Sequence, residues 1–281
     1  MSFPCSSTVS LVPSLALLAR AACPVSSSPV PSSSRRGPAS LASLARAACP
    51  KSPIVAGNIH RPEFRDFWKS LKPDAYVWSI IQFGYRIPFR DGVVPQAYRE
   101  PNNKSALDNM PYLSSHVEEL VSDTTVSEVF FQPLCYSPLT VASRYVDGIL
   151  KLRMCIDLSR YINLLFKKEP VTLPSLDKAI KLLLPGDYQA TFDFKSAFHH
   201  VLIHPDDRKF LGFSIPGKDG QDRFFVFRVL PFGLASAVQL LARIIKPICF
   251  FLAAKGIRLS IYIDDGWIMA LLRELARQHL L

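Results

Sequence analysis

Apolar and polar residues alternate along the chain in a way that marks out its elements. Ser115-His-Val-Glu118 has the form of a capping box and predicts a short helix to about Ser122. Residues 128–136, rich in aromatic and β-branched side chains, read as a strand. Residues 139–145 and 149–157 flank Asp147-Gly148, a dipeptide that tolerates the positive φ angles of a tight turn, and so form a β-hairpin. Ser175 can cap a helix in which Leu176, Ala179, Ile180, Leu183 and Leu184 recur at helical spacing until Pro185-Gly186. A strand follows over 188–194, then a strand pair at 210–215 and 223–229 around Gly217-Lys-Asp-Gly220. A long helix is predicted from about 235 to 255, kinked at Pro247 and closed by Gly256. In the last hairpin, 258–263 alternates towards Asp264-Asp265-Gly266 and 267–270 returns. Antiparallel strands mixed with separate helices define an α+β class.

Composition divides the chain. Residues 1–53 contain no Asp or Glu, and Ser14-Leu-Ala-Leu-Leu-Ala-Arg-Ala-Ala-Cys-Pro24 returns as Ser40-Leu-Ala-Ser-Leu-Ala-Arg-Ala-Ala-Cys-Pro50. The duplication is too short and proline-broken to stack as a solenoid, so the segment reads as a disordered, low-complexity tail in preference to a targeting peptide. From about Ile54 aromatic residues interleave with charges (Phe64, Phe67, Trp68, Tyr76, Trp78, Phe83, Tyr85, Phe89) and a folded domain begins.

Over all 281 residues, hydrophobic side chains make up 49% and charged ones 20%, which excludes wholesale disorder and coiled-coil or collagen architectures. The longest apolar run, 244–257, carries Lys246, Pro247 and Lys255, so no membrane span is expected. Six cysteines lie far apart without a C-x-x-C pair and read as free thiols of a reducing compartment, cytoplasmic or nuclear. Lys and Arg number 33 against 23 Asp and Glu, a net charge of +10 that favours a polyanionic partner without identifying it.

The candidate chemistry lies in three carboxylates: Asp193 at a strand end, and Asp264 with Asp265 at the last hairpin, 71 residues away (264 − 193). Brought together, they would repel one another unless a divalent cation sat among them, and hard oxygen ligands suit Mg²⁺, with Mn²⁺ as a substitute. Two such ions can activate a hydroxyl and stabilise a leaving pyrophosphate. Taken alone, Asp-Asp-Gly is an ordinary solvated turn.

The surrounding motifs point further. Phe192-Asp-Phe-Lys-Ser-Ala-Phe198 followed by His199-His-Val-Leu-Ile-His-Pro205, then Arg228-Val-Leu-Pro-Phe-Gly-Leu-Ala-Ser-Ala237, then Ile261-Tyr-Ile-Asp-Asp265, resemble in order and spacing the palm motifs of reverse transcriptases. Ser137-Pro-Leu, Asp147-Gly148 and Arg153-Met-Cys-Ile-Asp157 resemble that family's fingers hairpin. The resemblance covers roughly 68–270 and is closest to retroelement enzymes of the LTR and DIRS-like kinds, the run 74–89 favouring the latter.

It implies a right-hand fold, with fingers built on a hairpin and a palm whose antiparallel sheet carries helices on one face. It implies that Asp193 and Asp264 hold catalytic metals, with Asp265 a less central third carboxylate. Phe198 falls at the steric gate that excludes a ribose 2′-hydroxyl, Phe232-Gly233 at the turn beneath the incoming nucleotide, and Tyr262 near the primer end. Arg153 and Lys151 match the cations that clasp the triphosphate. Relatives commonly carry a lysine just before Asp-Gly; here Arg144-Tyr-Val-Asp-Gly makes Arg144 the nearest cation.

His199, His200 and His204 fall at structural positions, and Cys155 and Cys249 read as core thiols. The partners implied are an RNA or DNA template with primer, and deoxynucleoside triphosphates. The expected organisation is a tail over 1–53, a flank over 54–136, and fingers hairpin and palm over 137–281. Sixteen residues follow Asp265 (281 − 265), so the sequence reads as a fragment ending inside the palm, without a thumb. A non-catalytic nucleic-acid-binding remnant is the alternative, but it would need neither the three carboxylates nor Phe198.

Overall fold

The structure, a computed structural model, describes residues 56–279 apart from 168, 169, 171, 172 and 218. The tail expected over 1–53 lies outside the described residues. The flank opens with helices α1 (Arg65–Ser70) and α2 (Ala75–Phe83), the latter capped by Asp74, whose carboxylate accepts from Val77 N at 2.8 Å. Strand β1 (Tyr98–Arg99) and helices α3 (Lys104–Leu107) and α4 (Met110–Ser122) follow. Helix α4 begins five residues before the capping box that was expected to start it. Pro111 in its first turn is pre-set for helix, and buried Leu113, Val117 and Leu120 carry one stripe straight past exposed Ser115.

The single strand expected over 128–136 is two: β2 (Val126–Val129) and β3 (Cys135–Tyr136). Pro133 cannot donate to a ladder, and the chain crosses from one side of a sheet to the other between them. That sheet has the order β1-β3-β7-β8-β2, where β7 is Gly212–Pro216 and β8 is Asp222–Phe227. Between β3 and β7 come the hairpin strands β4 (Leu139–Val146) and β5 (Ile149–Ile156), helix α5 (Leu176–Ile180) and strand β6 (Tyr188–Asp193). The β4–β5 turn is as expected, with Asp147 at φ 52° and Gly148 at φ 74° and Val146 opposite Ile149. Ser175 caps α5, but the helix stops at Ile180 because only Ala179 is buried; Leu176 and Ile180 are exposed and find no partner to carry the repeat on to Leu184.

Helix α6 (Ala237–Ala254) follows, with Pro247 inside it, and Gly256 at φ 79° closes it as Ile257 N donates to Leu252 O at 3.1 Å. By length and composition α6 could cross a membrane, with mean hydropathy 1.7. Here its stripe of Leu240, Leu241, Ile244, Ile245, Ile248 and Leu252 is buried and packs towards the next strand, β9 (Arg258–Tyr262). Strand β10 (Asp265–Ala270) and helix α7 (Arg273–Gln278) end the described chain. The palm sheet has the order β6-β10-β9, antiparallel throughout. Its inner face, Phe192, Ile261 and Ile268, joins the buried core; its outer face stays open at the Asp193–Asp265 end, while Met269 at the other end is buried.

The upstream flank is clasped to this core by His60. Leu202 N donates to its Nε2 at 2.8 Å, which leaves the proton on Nδ1 to be donated to Ile81 O at 3.0 Å. Accepting from Leu202 N requires a neutral ring, and burial pushes the His60 pKa down to about 4 against the opposing bond to Ile81 O.

Candidate active site

Register places the carboxylates. Asp193, the last residue of β6, lies directly opposite Asp265, the first of β10, and Asp265 lies opposite Tyr262, the last of β9. Residues opposite one another in antiparallel strands share a face, so Asp193, Asp265 and Tyr262 form one row on the open side of the sheet. Thr191, Trp267 and Ser260 form the row behind it.

The hairpin turn is Ile263-Asp264, which corrects the expectation that Asp265 sits at its tip: Asp265 already belongs to the strand. Asp264 is held at the turn by its carbonyl, which accepts from Phe194 N at 2.9 Å. Ile263 has φ 60°, a conformation that a β-branched residue rarely adopts, so the turn stores strain beside the site.

One oxygen from each of Asp193, Asp264 and Asp265 lies within 4.8 Å of the others. Loss of water, then the charges of Asp264 and Asp265, raise the Asp193 pKa above the usual carboxylate range. Three clustered carboxylates with repulsion of this kind suit a hard divalent cation, and among the described residues they are the one such group.

Gly266, which sequence reasoning passed over as part of a turn, makes the row possible. A Cβ there would fall inside the ring of Phe192, which packs directly beneath the carboxylates and meets Phe194 edge-on at 5.2 Å. A cavity of about 650 Å³ opens over the sheet, lined by Asp193, Asp265, Tyr262, Trp267 and, from the α5 side, Ser175 and Leu176.

A second group lies beyond Asp193. Ser196 at φ 52° turns the chain into a 3₁₀ segment, Ala197–His200, that carries Phe198. The Phe198 ring is 9% exposed and meets the 45%-exposed Phe232 ring edge-on at 5.1 Å. Gly233, at φ 105°, lies so close to Ile156 O that a Cβ would strike it, which seats this turn on the last residue of β5. Asn163, a residue with no recognisable motif around it, fixes the turn from the side: its Nδ2 donates to Gly233 O at 2.8 Å and its Oδ1 accepts from Ala235 N at 2.9 Å.

The third group is the β4–β5 hairpin. Arg144 is opposite Lys151, and Ala142 is opposite Arg153, so all three cations project from one face. Like charges facing one another across strands are unfavourable, and none of the three forms an ion pair among the described residues.

The histidines do not converge. His199 packs edge-on against Phe232 at 5.7 Å, and burial and the adjacent His200 push its pKa down to about 4. His200 is fully buried and its Nε2 lies 3.2 Å from Lys195 O; His204 accepts from Arg86 at 2.7 Å. Cys155 and Cys249 are half-buried, with thiol pKa values raised mainly by burial.

A hairpin of fingers leading into a three-stranded antiparallel palm, with clustered carboxylates on its open face, defines a right-hand polymerase. The reverse transcriptase (RNA-dependent DNA polymerase) family matches residues 139–280, and the chain belongs to it. A putative enzymatic polyprotein of Cassava vein mosaic virus is 26% identical over 178 residues, 61% of this chain and 24% of that protein. Genome polyproteins of the Shepherd and Hohn isolates of Petunia vein clearing virus are 32% identical over 119 residues, 41% of this chain and 5% of each. The chain therefore spans about a quarter of the first relative's length and a twentieth of the others'.

Proposed function

We propose that this chain is the catalytic part of a retroelement's RNA-directed DNA polymerase, adding deoxynucleotides to a primer 3′-hydroxyl on an RNA or DNA template. The observation that carries this reading is the convergence of Asp193, Asp264 and Asp265 from two strands and a turn to within 4.8 Å. Asp193 and Asp264 would hold Mg²⁺, with Asp265 the third carboxylate. When bound, the ions lower the pKa of the primer hydroxyl and stabilise the leaving pyrophosphate.

The rest is positioning by side chains. Tyr262, in the same row as Asp265 and half exposed, borders the cavity where a primer terminus would rest. Phe198, braced by Phe232, would meet a ribose 2′-hydroxyl, favouring deoxynucleotides. Gly233, whose missing Cβ lets the turn seat on Ile156 O, would hold the backbone beneath the incoming nucleotide. Lys151 and Arg153, with Arg144 beside them, would clasp the triphosphate, and their unpaired charges are the reason to assign them an anion.

The test is single-nucleotide extension of a DNA primer on an RNA template by the full chain, compared with Asp264→Asn. The variant is expected to lose extension and keep primer-template affinity within about twofold. Loss of affinity as large as the loss of extension would overturn this division of roles.

A further inference from the structure

Helix α6 carries a second stripe opposite its buried one. From its N-cap, Ser236, Gln239, Arg243, Lys246 and Phe250 recur at three- and four-residue spacing and so lie in one line along the helix. No acid occurs in Ala237–Ala254. Arg243 and Lys246 are exposed, as is Phe250. Each cation lies over a ring: Arg243 is 4.2 Å from the centroid of Tyr76 on α2, and Lys246 is 5.7 Å from that of Phe250. Arg243 pairs with Asp74, whose Oδ2 is 3.5 Å from Arg243 Nε at the surface, while its Oδ1 caps α2.

The stripe begins at a cavity of about 420 Å³ whose wall, Ala235 included, is mostly apolar, with Asn163, Lys167, Ser236 and Arg243 among the residues that supply polar groups. The Ser236 hydroxyl is buried there, in a residue 9% exposed, without a hydrogen-bond partner. A buried, unpaired hydroxyl on a residue that lines a cavity marks a place for a ligand's polar atom. The cavity adjoins the nucleotide turn, because Ala235 lies two residues past Gly233 and Asn163 bonds to both segments.

We propose that this cavity and the α6 stripe carry a single-stranded nucleic-acid backbone, the unpaired template arm, towards Gly233. The direction of the strand rests on the polymerase reading. Phosphate oxygens meet Lys167, Arg243 and Lys246, Ser236 Oγ bonds a phosphate or a ribose hydroxyl, and Phe250 offers a face on which a base can stack. From Ser236 to Phe250 the track is ~21 Å long. It is separate from the triphosphate cations, which project from the β4–β5 hairpin.

The test uses the full chain and fluorescence anisotropy with two duplexes, one blunt and one with an unpaired 5′ template arm of about ten nucleotides. Wild type is expected to bind the armed duplex more tightly. Arg243→Ala/Lys246→Ala is expected to lose that advantage, about tenfold, with a salt slope on the armed duplex shallower by about 1.4 and unchanged blunt binding. The Arg243→Lys/Lys246→Arg pair is expected to keep the advantage, and matched melting temperatures check that all variants fold.

An arm preference that survives the alanines, or equal weakening on both duplexes, would overturn the inference. So would wild-type binding to phosphatidylserine vesicles that the same alanines abolish, which would assign the stripe to a membrane surface. If wild type binds neither duplex, the polymerase reading fails and the template track falls with it; if it binds both equally, only the track fails.

Discussion

Asp193 and Asp265 face each other across the paired ends of β6 and β10, one register step from the Ile263-Asp264 turn. Without a cation this pairing is a cost, because like charges directly opposite in a sheet repel. Asp193 shows it, with a pKa raised by desolvation and then by its two neighbours. A carboxyl whose folded pKa lies above its unfolded value binds more protons when folded, so its penalty grows as pH rises through the folded pKa.

Asp265→Asn is therefore expected to melt about 0.4–4 °C above wild type in EDTA at pH 7, from a relief of about 0.2–1 kcal/mol. Millimolar Mg²⁺ should reverse the order, since the ion stabilises the intact cluster by binding the folded state. Thermal melts with and without Mg²⁺ check both statements.

Gly266→Ala places a methyl group in the Phe192 ring, with buried Phe194 behind it. Overpacking of this kind costs about 1–3 kcal/mol. The expected result in urea melts is a lower midpoint with an unchanged slope; an unaltered midpoint would mean that Phe192 moves freely, and the carboxylate row would then lack its floor.

Legibility in the sequence followed the range of the interaction. The Asp147-Gly148 turn, the Gly256 helix stop and the last hairpin were all readable, because each depends on residues adjacent in the chain. The three carboxylates were readable by their motifs. The break between β2 and β3 was not, since it depends on β2 pairing with β8 while β3 joins β7, a choice made across the sheet. Gly266 and Asn163 were missed for the same reason: one is required by Phe192, 74 residues earlier (266 − 192), and the other acts on Gly233, 70 residues later. Helix α5 fell short because periodicity predicts an apolar face but not the partner that covers it.

At the end of the palm sheet away from the carboxylates, Arg258 of β9 reaches past β10 to Asp187, just before β6. Its guanidinium meets that carboxylate through Nη1 at 2.5 Å and Nη2 at 2.6 Å, and Nη1 also donates to Leu182 O at 2.8 Å. The Asp187 side chain is 1% exposed, and the hydrogen bonds from Arg258 hold its pKa below the usual range. Asp187→Ala leaves a partly buried guanidinium without its partner and is expected to cost about 3–5 kcal/mol in denaturant unfolding. A loss under about 1 kcal/mol would show that water replaces the clasp.

The His60 clasp sets a pH window. Its folded pKa is about 4 against 6.5 for the free side chain, so the unfolded chain binds the extra proton between those values. Stability from this group is complete above about pH 6.5 and falls as pH drops towards 4. His60→Gln is expected to flatten the loss of stability between pH 6.5 and 4. His199, also lowered to about 4, should preserve a remaining slope in that variant. Urea midpoints across the window check this; a variant that keeps the full wild-type slope would remove His60 from the account.

The central claim is that Asp193, Asp264 and Asp265 form one divalent-cation site. The most direct measurement is a Mn²⁺ titration of the full chain followed by electron paramagnetic resonance, in wild type and in Asp193→Asn, with no nucleic acid present. The account predicts saturable binding by wild type and a loss of at least about tenfold in affinity in the variant. Equal Mn²⁺ binding by the two proteins would contradict it.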